Sequence, residues 1–302
     1  MIQKHANNKY LAIGMVLSMF LWGLSWPSGK VLTNYCSAIN FTVYRYFFVV
    51  ATMLLLLPIL GTRFRIHKKG IPAIIASGVL LAVYSYLFFM GIKKGSPGAG
   101  GVLVTTLNPI MAYAIGFGLK RSLPSRKEGL GLLLGLLAGL VLLKVWDNKV
   151  LLGGGNLYFL LAAFTWAAMS KFTAQGAMHG SSMSFSLWQY LVTLLCLLPL
   201  TNFTEMQAAI HIPDPLFWLN LLFGSVIVTA MATTVYFYTT TRLGAERASS
   251  FIFLVPFAAA ISSWAFLGEK ILPHTIVGGL LGIAAVYIIN RKKRTAPSGK
   301  KV

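Results

Sequence analysis

The sequence predicts an all-α membrane protein of ten transmembrane helices, arranged as two inverted five-helix repeats. Three observations carry this. The chain is 57% hydrophobic and only 11% charged, with a mean hydropathy of +0.74, far above a soluble domain. Ten apolar stretches reach or approach the ~20 residues that cross a hydrocarbon core: 9–31, 41–60, 71–92, 98–119, 127–144, 155–178, 184–201, 215–241, 247–267 and 273–290. The two halves also repeat. Trp22 and Trp166 open a shared pattern, and Phe41-Thr-Val-Tyr-Arg-Tyr46 recurs as Phe185-Ser-Leu-Trp-Gln-Tyr190 at the same offset of 144. The offset then drifts to 147, where Pro109 matches Pro256, Gly131 matches Gly278 and Gly135 matches Gly282. Five spans per copy turn the second copy upside down, and inverted repeats place a solute site at mid-depth between the halves.

Each span has its own justification. All should be helices, because backbone polar groups in lipid must be satisfied within the segment. The first follows Lys4 and Lys9 and imitates a signal peptide, but its length, Trp22, Trp26 and Pro27, and the lack of a cleavage site, mark a retained helix. Trp22 and Trp26 share a face, and Lys30 ends the span; Lys30 either attracts anions or simply closes the helix. The second carries Arg45, the deepest charge. It serves either as an anion anchor near the external mouth or as a snorkelling interfacial cation. The third offers Tyr84, Ser85 and Phe88. The fourth starts at the tight turn Gly95–Gly101, which lacks the Lys-Ser/Thr of a phosphate loop, and contains Asn108-Pro109. The fifth has Gly131, Gly135 and Gly139 at spacing four, a close-packing face.

In the second half, Trp166 occupies the place of Trp22, and Gln189 that of Arg45. The connection 202–214 is the longest and too short to fold alone. Span eight sets Thr233, Tyr236 and Thr240 along one side, next to Phe237. Such hydroxyls want partners and so look inward, to a cavity or to a neighbouring helix. Span nine repeats the break as Val255-Pro256, and span ten repeats the glycine face with Gly278 and Gly282. The paired prolines are either hinges that shape a site or tolerated kinks. The candidate solute-binding residues are therefore Trp22, Trp26, Tyr84, Phe88, Asn108, Trp166, Tyr236 and Thr240. Lys30 and Arg45 stand at the mouth, and Pro109 and Pro256 are candidate hinges.

The net charge of +20 is not a nucleic-acid footprint, because its distribution is one-sided. With the N-terminus in the cytoplasm, nineteen Lys and Arg fall inside and six outside, with Arg45 in a span. This positive-inside bias puts both termini in the cytoplasm of a multi-pass cell-membrane protein, most simply the bacterial inner membrane. The tail Arg291-Lys-Lys-Arg294 is a stop-transfer flank able to touch anionic lipid. The six acidic residues and five histidines all sit in loops or at span ends. No carboxylate is thus offered for a proton relay. Cys36 and Cys196 are predicted to lie too far apart for a disulfide and fit no metal pattern, so neither a metal nor a cofactor is expected.

The stretch Ser263-Trp-Ala-Phe-Leu-Gly-Glu-Lys-Ile-Leu-Pro-His-Thr-Ile-Val-Gly-Gly-Leu-Leu-Gly282 resembles the end of an EamA domain, where a Gly-Glu turn precedes a Gly-rich final helix. The opening Trp22-Gly-Leu-Ser-Trp26, with Lys30 and Arg45 following, resembles that family too, and so does the five-plus-five layout. The resemblance implies a member of the drug/metabolite transporter superfamily, with EamA-like repeats at 1–146 and 147–302. It also implies a central cavity lined mainly by spans one, three, four, six, eight and nine. The first half departs from the pattern, with Leu119-Lys120-Arg121 where the acidic turn would stand. Family substrates range over amino acids, other metabolites and toxic organic compounds.

The expected function is a secondary carrier for a small organic metabolite, an amino acid or related amphiphile, working outward by alternating access. An exporter of hydrophobic or cationic toxic compounds is the alternative. An intramembrane enzyme is disfavoured, since no His-Glu-x-x-His and no membrane-depth base occurs. The expected partners are the solute and the lipid bilayer, with no nucleic acid; a monomer suffices.

Overall fold

A computed structural model describes residues 2–95, 97–120, 123–142, 145, 155–267 and 273–291. Outside these lie the Gly268–Lys270 turn, Arg121, Lys144, Trp146, Asp147, Lys149, the 146/147 repeat boundary and the tail beyond Arg291. Among the described residues the chain is helical, without a strand; a lone bridge joins Ile66 to Gly180.

The first half comprises α1 (Ile2–Leu32), α2 (Ala38–Ile59), α3 (Ile71–Lys94), α4 (Pro97–Lys120) and α5 (Arg126–Leu142). The second comprises α6 (Asn156–Thr173), α7 (Ser182–Leu197), α8 (Pro215–Leu243), α9 and α10 (Pro273–Asn290). Helix α9 is built from Ala245–Ser250, a 3₁₀ turn Phe251–Leu254, and Val255–Leu267. Among the described residues, eight helices are long and apolar enough to cross a membrane; α5, with 17 residues, and α6 fall outside that group.

Local chemistry sets the ends. Ser37 caps α2 by accepting from the Asn40 amide, and Ser181 caps α7 by accepting from Met183. Ser125 and Glu128 form a reciprocal capping box on α5. Asp214 caps α8, with Pro215 in the first turn, where a missing N–H costs nothing. Gly244, at φ +85°, permits the reversal from α8 into α9.

The middle of α8 departs from α-geometry. Residues Phe223–Thr233 form an 11-residue π-helical segment. There Thr229 and Thr233 donate to the carbonyls five residues back, at 2.8 and 3.0 Å. Stretches this wide are rare and cluster at functional sites.

The two halves interleave. Helix α1 packs on α8 and α9, α2 on α7 and α8, α3 on α6 and α7, α4 on α6, and α5 on α10. The glycine faces behave as expected. A methyl at Gly131 would meet Ile289 at 2.4 Å, and one at Gly278 would meet Leu142 at 2.5 Å. These glycines let α5 and α10 approach backbone to side chain, the close-packing mode of membrane helices. The outward faces expose Phe47, Leu55, Leu133, Phe164, Leu195 and Leu280, a lipid-compatible belt.

The 202–214 connection, too short to fold alone, holds a short helix, Phe203–Ile210, capped by Asn202. Glu205 accepts from the Ser37 amide and the Asn40 amide side chain, and the Tyr44 hydroxyl donates to Met206 at 2.5 Å. Tyr35 donates to Asp214. This clasp buries Cys36, whose thiol is pushed up to about 12 by burial and by Glu205 nearby, so it is a poor nucleophile. Cys36 and Cys196 are both free thiols, Cys196 on the exposed surface. The opposite end is tied by the His67 amide donating to His179 at 2.8 Å and by the Trp188 indole donating to Phe64 at 2.8 Å.

Candidate functional site

The helices enclose a cavity holding about 750 Å³ of empty space including its open mouth. Periodicity explains the walls. Trp22, Ser25 and Trp26 come from one face of α1, Leu81, Tyr84, Ser85 and Phe88 from one face of α3, and Thr105 and Asn108 from α4. Trp166, Tyr190, Thr229, Thr233, Ile252 and Val255 close it from α6, α7, α8 and α9.

The aromatic rings form a connected box. Trp166 stands perpendicular to Trp22 at 5.1 Å and tilts against Tyr84 at 4.6 Å. Trp26 packs on Phe88 at 4.7 Å, and Phe88 on Tyr84 at 5.6 Å. Each such pair adds roughly 0.5–1.5 kcal/mol beyond its buried area.

Arg45 contributes to this wall. Its Nε and Nη2 both donate to the Thr229 hydroxyl, at 2.9 and 2.6 Å, and its guanidinium lies 5.6 Å from the Phe89 ring centroid. No carboxylate pairs with it among the described residues, and none lines the cavity. Arg45 thus lines the cavity wall, and the alternative of snorkelling to an interface is corrected. Snorkelling would need its long stem to run outward, whereas Thr229 holds the head inward. The π-segment makes this possible. Its wide turns send the Thr229 hydroxyl proton to Gly224 and leave both lone pairs to Arg45. One turn on, Thr233 donates to Val228 and accepts from the Trp22 indole at 3.2 Å.

One lining side chain keeps an unmatched polar atom. The Asn108 amide donates to the Ala163 carbonyl at 3.2 Å, which fixes its orientation because a carbonyl only accepts; its Oδ1 is buried without a partner. The Trp166 indole nitrogen is buried on the side of the Tyr236 hydroxyl, behind the wall.

Trp22, Trp26, Tyr84, Phe88, Asn108 and Trp166 thus come together, with Arg45. Others do not. Tyr236 lies behind the wall, fully buried, with its ring 5.2 Å from Trp22 and 5.5 Å from Trp166 and its hydroxyl 3.2 Å from Ser170. Thr240 is buried one turn further on and donates to the Tyr236 carbonyl, so it faces its own helix rather than the cavity. Lys30 is exposed and reaches the Ile92 carbonyl at 3.5 Å, joining the ends of α1 and α3 away from the walls. Pro109 sits inside an unbroken α4, whereas Pro256 is the second residue after the 3₁₀ turn of α9.

Helices α2 and α7 also join the wall, through Arg45, Tyr46 and Tyr190, beyond the six expected. Tyr46 shares a hydrogen bond of 2.9 Å with Ser85, and Tyr190 donates to the Thr229 carbonyl at 3.1 Å. Their signal was present, since Tyr46 and Tyr190 end the matched hexads. Thr229 had none.

Below Tyr236, Lys171 and Glu246 form an ion pair of 2.5 Å, with side-chain exposures of 14% and 20%. The pair lies against Gly116 of α4; a methyl there would meet Glu246 at 2.4 Å. Glu246, placed at a span end by sequence, is therefore drawn in among α4, α6 and α9.

The comparisons with known proteins agree with this architecture. The EamA-like transporter family model matches residues 9–144 and again 153–291. A Bacillus subtilis protein named uncharacterized transporter YoaV is 24% identical over 282 residues, covering 91% of this chain and 95% of that protein. A Salmonella typhimurium protein named as a probable amino-acid metabolite efflux pump is 24% identical over 287 residues, 90% of this chain and 92% of its own length. A solved crystal structure superposes with a TM-score of 0.69 at 15% identity, covering 93% of this chain and 97% of that chain, and shares the fold.

Proposed function

The chain belongs to the EamA-like transporter family, a multi-pass membrane transporter rather than an enzyme, and from that premise we propose that it exports a small organic metabolite by alternating access. The solute is an amino acid or a related amphiphile. The observation that carries the reading is the aromatic, cation-bearing cavity, whose walls come from both halves of the chain. Small organic solutes bind in such enclosures through apolar burial plus a few directed polar contacts.

In this reading ten helices cross the cell membrane as two inverted repeats, 1–146 and 147–302, with both termini cytoplasmic. The Lys171–Glu246 pair then lies toward the cytoplasm, and the Phe203–Ile210 clasp lies outside. Names borne by relatives support the solute class: besides the efflux pump, a Streptantibioticus cattleyicolor protein named as a probable terminal-alkyne amino-acid exporter is 26% identical over 155 residues, 47% of this chain and 50% of its own. The carrier needs no proton gradient, because the cavity walls carry no carboxylate.

The test is uptake into sealed proteoliposomes. Saturable flux with counterflow supports a carrier, and linear unsaturable flux indicates a channel. Flux that collapses with an ionophore and returns with an imposed pH gradient alone refutes the uncoupled mechanism. Cysteine accessibility should find the Phe203–Ile210 segment outside and the 61–70 loop inside; the reverse overturns the orientation.

A further inference from the structure

The polar inventory of the cavity is unbalanced. Arg45 has five N–H donors, of which Thr229 takes two. No carboxylate among the described residues lines the space, so the walls carry one uncompensated positive charge. Asn108 adds one unmatched acceptor, on a side chain that is 1% exposed. A buried polar group left unpaired is costly, so a solute that pairs with it is favoured over one that does not.

These three features read as the mould of a specific chemistry. The cation takes an anionic carboxylate, which a planar fork binds better than any neutral group. The acceptor takes the N–H of a neutral amide. The aromatic box takes an apolar side group. We infer that the cavity selects monoanionic, N-acylated amino acids: a carboxylate for Arg45, an amide N–H for Asn108, and an apolar side chain among Trp22, Trp26 and Phe88. A free amino acid brings an ammonium that finds no carboxylate here, only neutral acceptors and ring faces. An organic cation meets Arg45 directly. Acylation removes the offending charge and supplies the matching amide together. The inference rests on the carrier reading of this cavity and names its solute class.

The test uses the purified full-length protein in detergent near pH 7. Binding is measured by calorimetry for N-acetylphenylalanine, phenylalanine, phenethylamine and 3-phenylpropionate. N-acetylphenylalanine should bind at least tenfold tighter than phenylalanine, with phenethylamine weakest. Arg45→Gln should weaken both acids at least tenfold, and Arg45→Lys, which keeps the charge without the fork, should lie between. Asn108→Leu should leave 3-phenylpropionate nearly unchanged while removing the advantage of the acetylated compound. Melting temperatures of the empty variants identify any that misfold, and Arg45→Lys and Asn108→Leu then test the idea independently. Equal or tighter binding of phenylalanine or phenethylamine, or no binding of N-acetylphenylalanine, overturns the inference. Counterflow in proteoliposomes separates the two readings. Arg45-dependent binding without exchange leaves the site chemistry standing and defeats the carrier. Exchange of phenylalanine or phenethylamine but not of the acetylated compound does the opposite.

Discussion

Replacing Gly23 by alanine tests how the halves are held together. Gly23 faces α9 at the level of the cavity, next to Trp22. A methyl there would lie 2.6 Å from the Ala259 nitrogen, 2.8 Å from the Ala258 carbonyl carbon and 2.8 Å from the Ala258 methyl. Two of those atoms are backbone, so no side-chain rotation relieves the clash. Ordinary carbon contacts begin near ~3.5 Å, so α1 must withdraw from α9 by roughly 0.8 Å. Overpacking of this kind costs about 1–3 kcal/mol. Alanine returns up to ~1 kcal/mol through its better helix propensity. The net expectation is destabilisation of about 1–2 kcal/mol, or a fall in melting temperature of roughly 2–8 °C on the usual scale for chains of this size. The control is Gly118→Ala, where nothing lies within 4 Å and only the propensity gain remains. Thermal melts of both variants in the same detergent make the comparison. If Gly23→Ala melts at or above the wild type, as Gly118→Ala should, the tight α1–α9 seam does not hold the halves.

Breaking the Lys171–Glu246 pair with Lys171→Met should cost about 1.5–3 kcal/mol, the scale of a charged hydrogen bond at a largely buried site. Adding Glu246→Gln should restore part of it in a double-mutant melt, and strict additivity would refute the coupling. Trp22→Phe keeps the ring packing but leaves Thr233 without its indole donor, so solute affinity should fall ~5–10-fold, about 1–1.4 kcal/mol; unchanged affinity would mark Trp22 as packing alone. The Tyr35–Asp214 bond gives a pH signature. The Tyr35 hydrogen bond lowers the Asp214 carboxyl below 3.8, and Asp214 raises Tyr35 above 10.0. The Asp214 contribution is present above its ordinary value and is lost as pH falls through the lowered one. The Tyr35 contribution is present below 10.0 and is lost as pH rises through the raised one. The melting difference between wild type and Tyr35→Phe should therefore be flat between pH 5 and 9 and shrink in acid; a difference constant to pH 2 would contradict it.

Much of this was legible from residues because its causes are local. Hydropathy located the eight helices long and apolar enough to cross a membrane among the described residues, and the spacing of glycines marked close-packing faces on α5 and α10, since a missing side chain reads the same in sequence and in space. Trp22 with Trp26, and Tyr84 with Phe88, could be assigned to the cavity as i, i+4 pairs. Arg45 kept two readings because depth along a helix does not say which way a flexible side chain turns; Thr229 decides that from 184 residues away. Thr240 shares a helix face with Thr233, but the walls stop short of Tyr236, and a shared face does not say how far along it the cavity runs. The Phe203–Ile210 helix was missed because eight residues with one capping Asn and mixed polarity look like a loop until Asn40 and Glu205 are seen to meet.

The π-segment carries an extra residue in its turns, and such a surplus behaves as a movable dislocation in an otherwise regular lattice. If the backbone of this segment relaxes to the ordinary four-back pattern, the segment rewinds by about one residue, or ~100° of rotation. The Thr229 and Thr233 hydroxyls then swing away in the same motion, one from Arg45 and the other from Trp22. The guanidinium on α2 and the indole on α1 would be released by a single rewinding, together with the Tyr190 hydroxyl that donates to the Thr229 carbonyl.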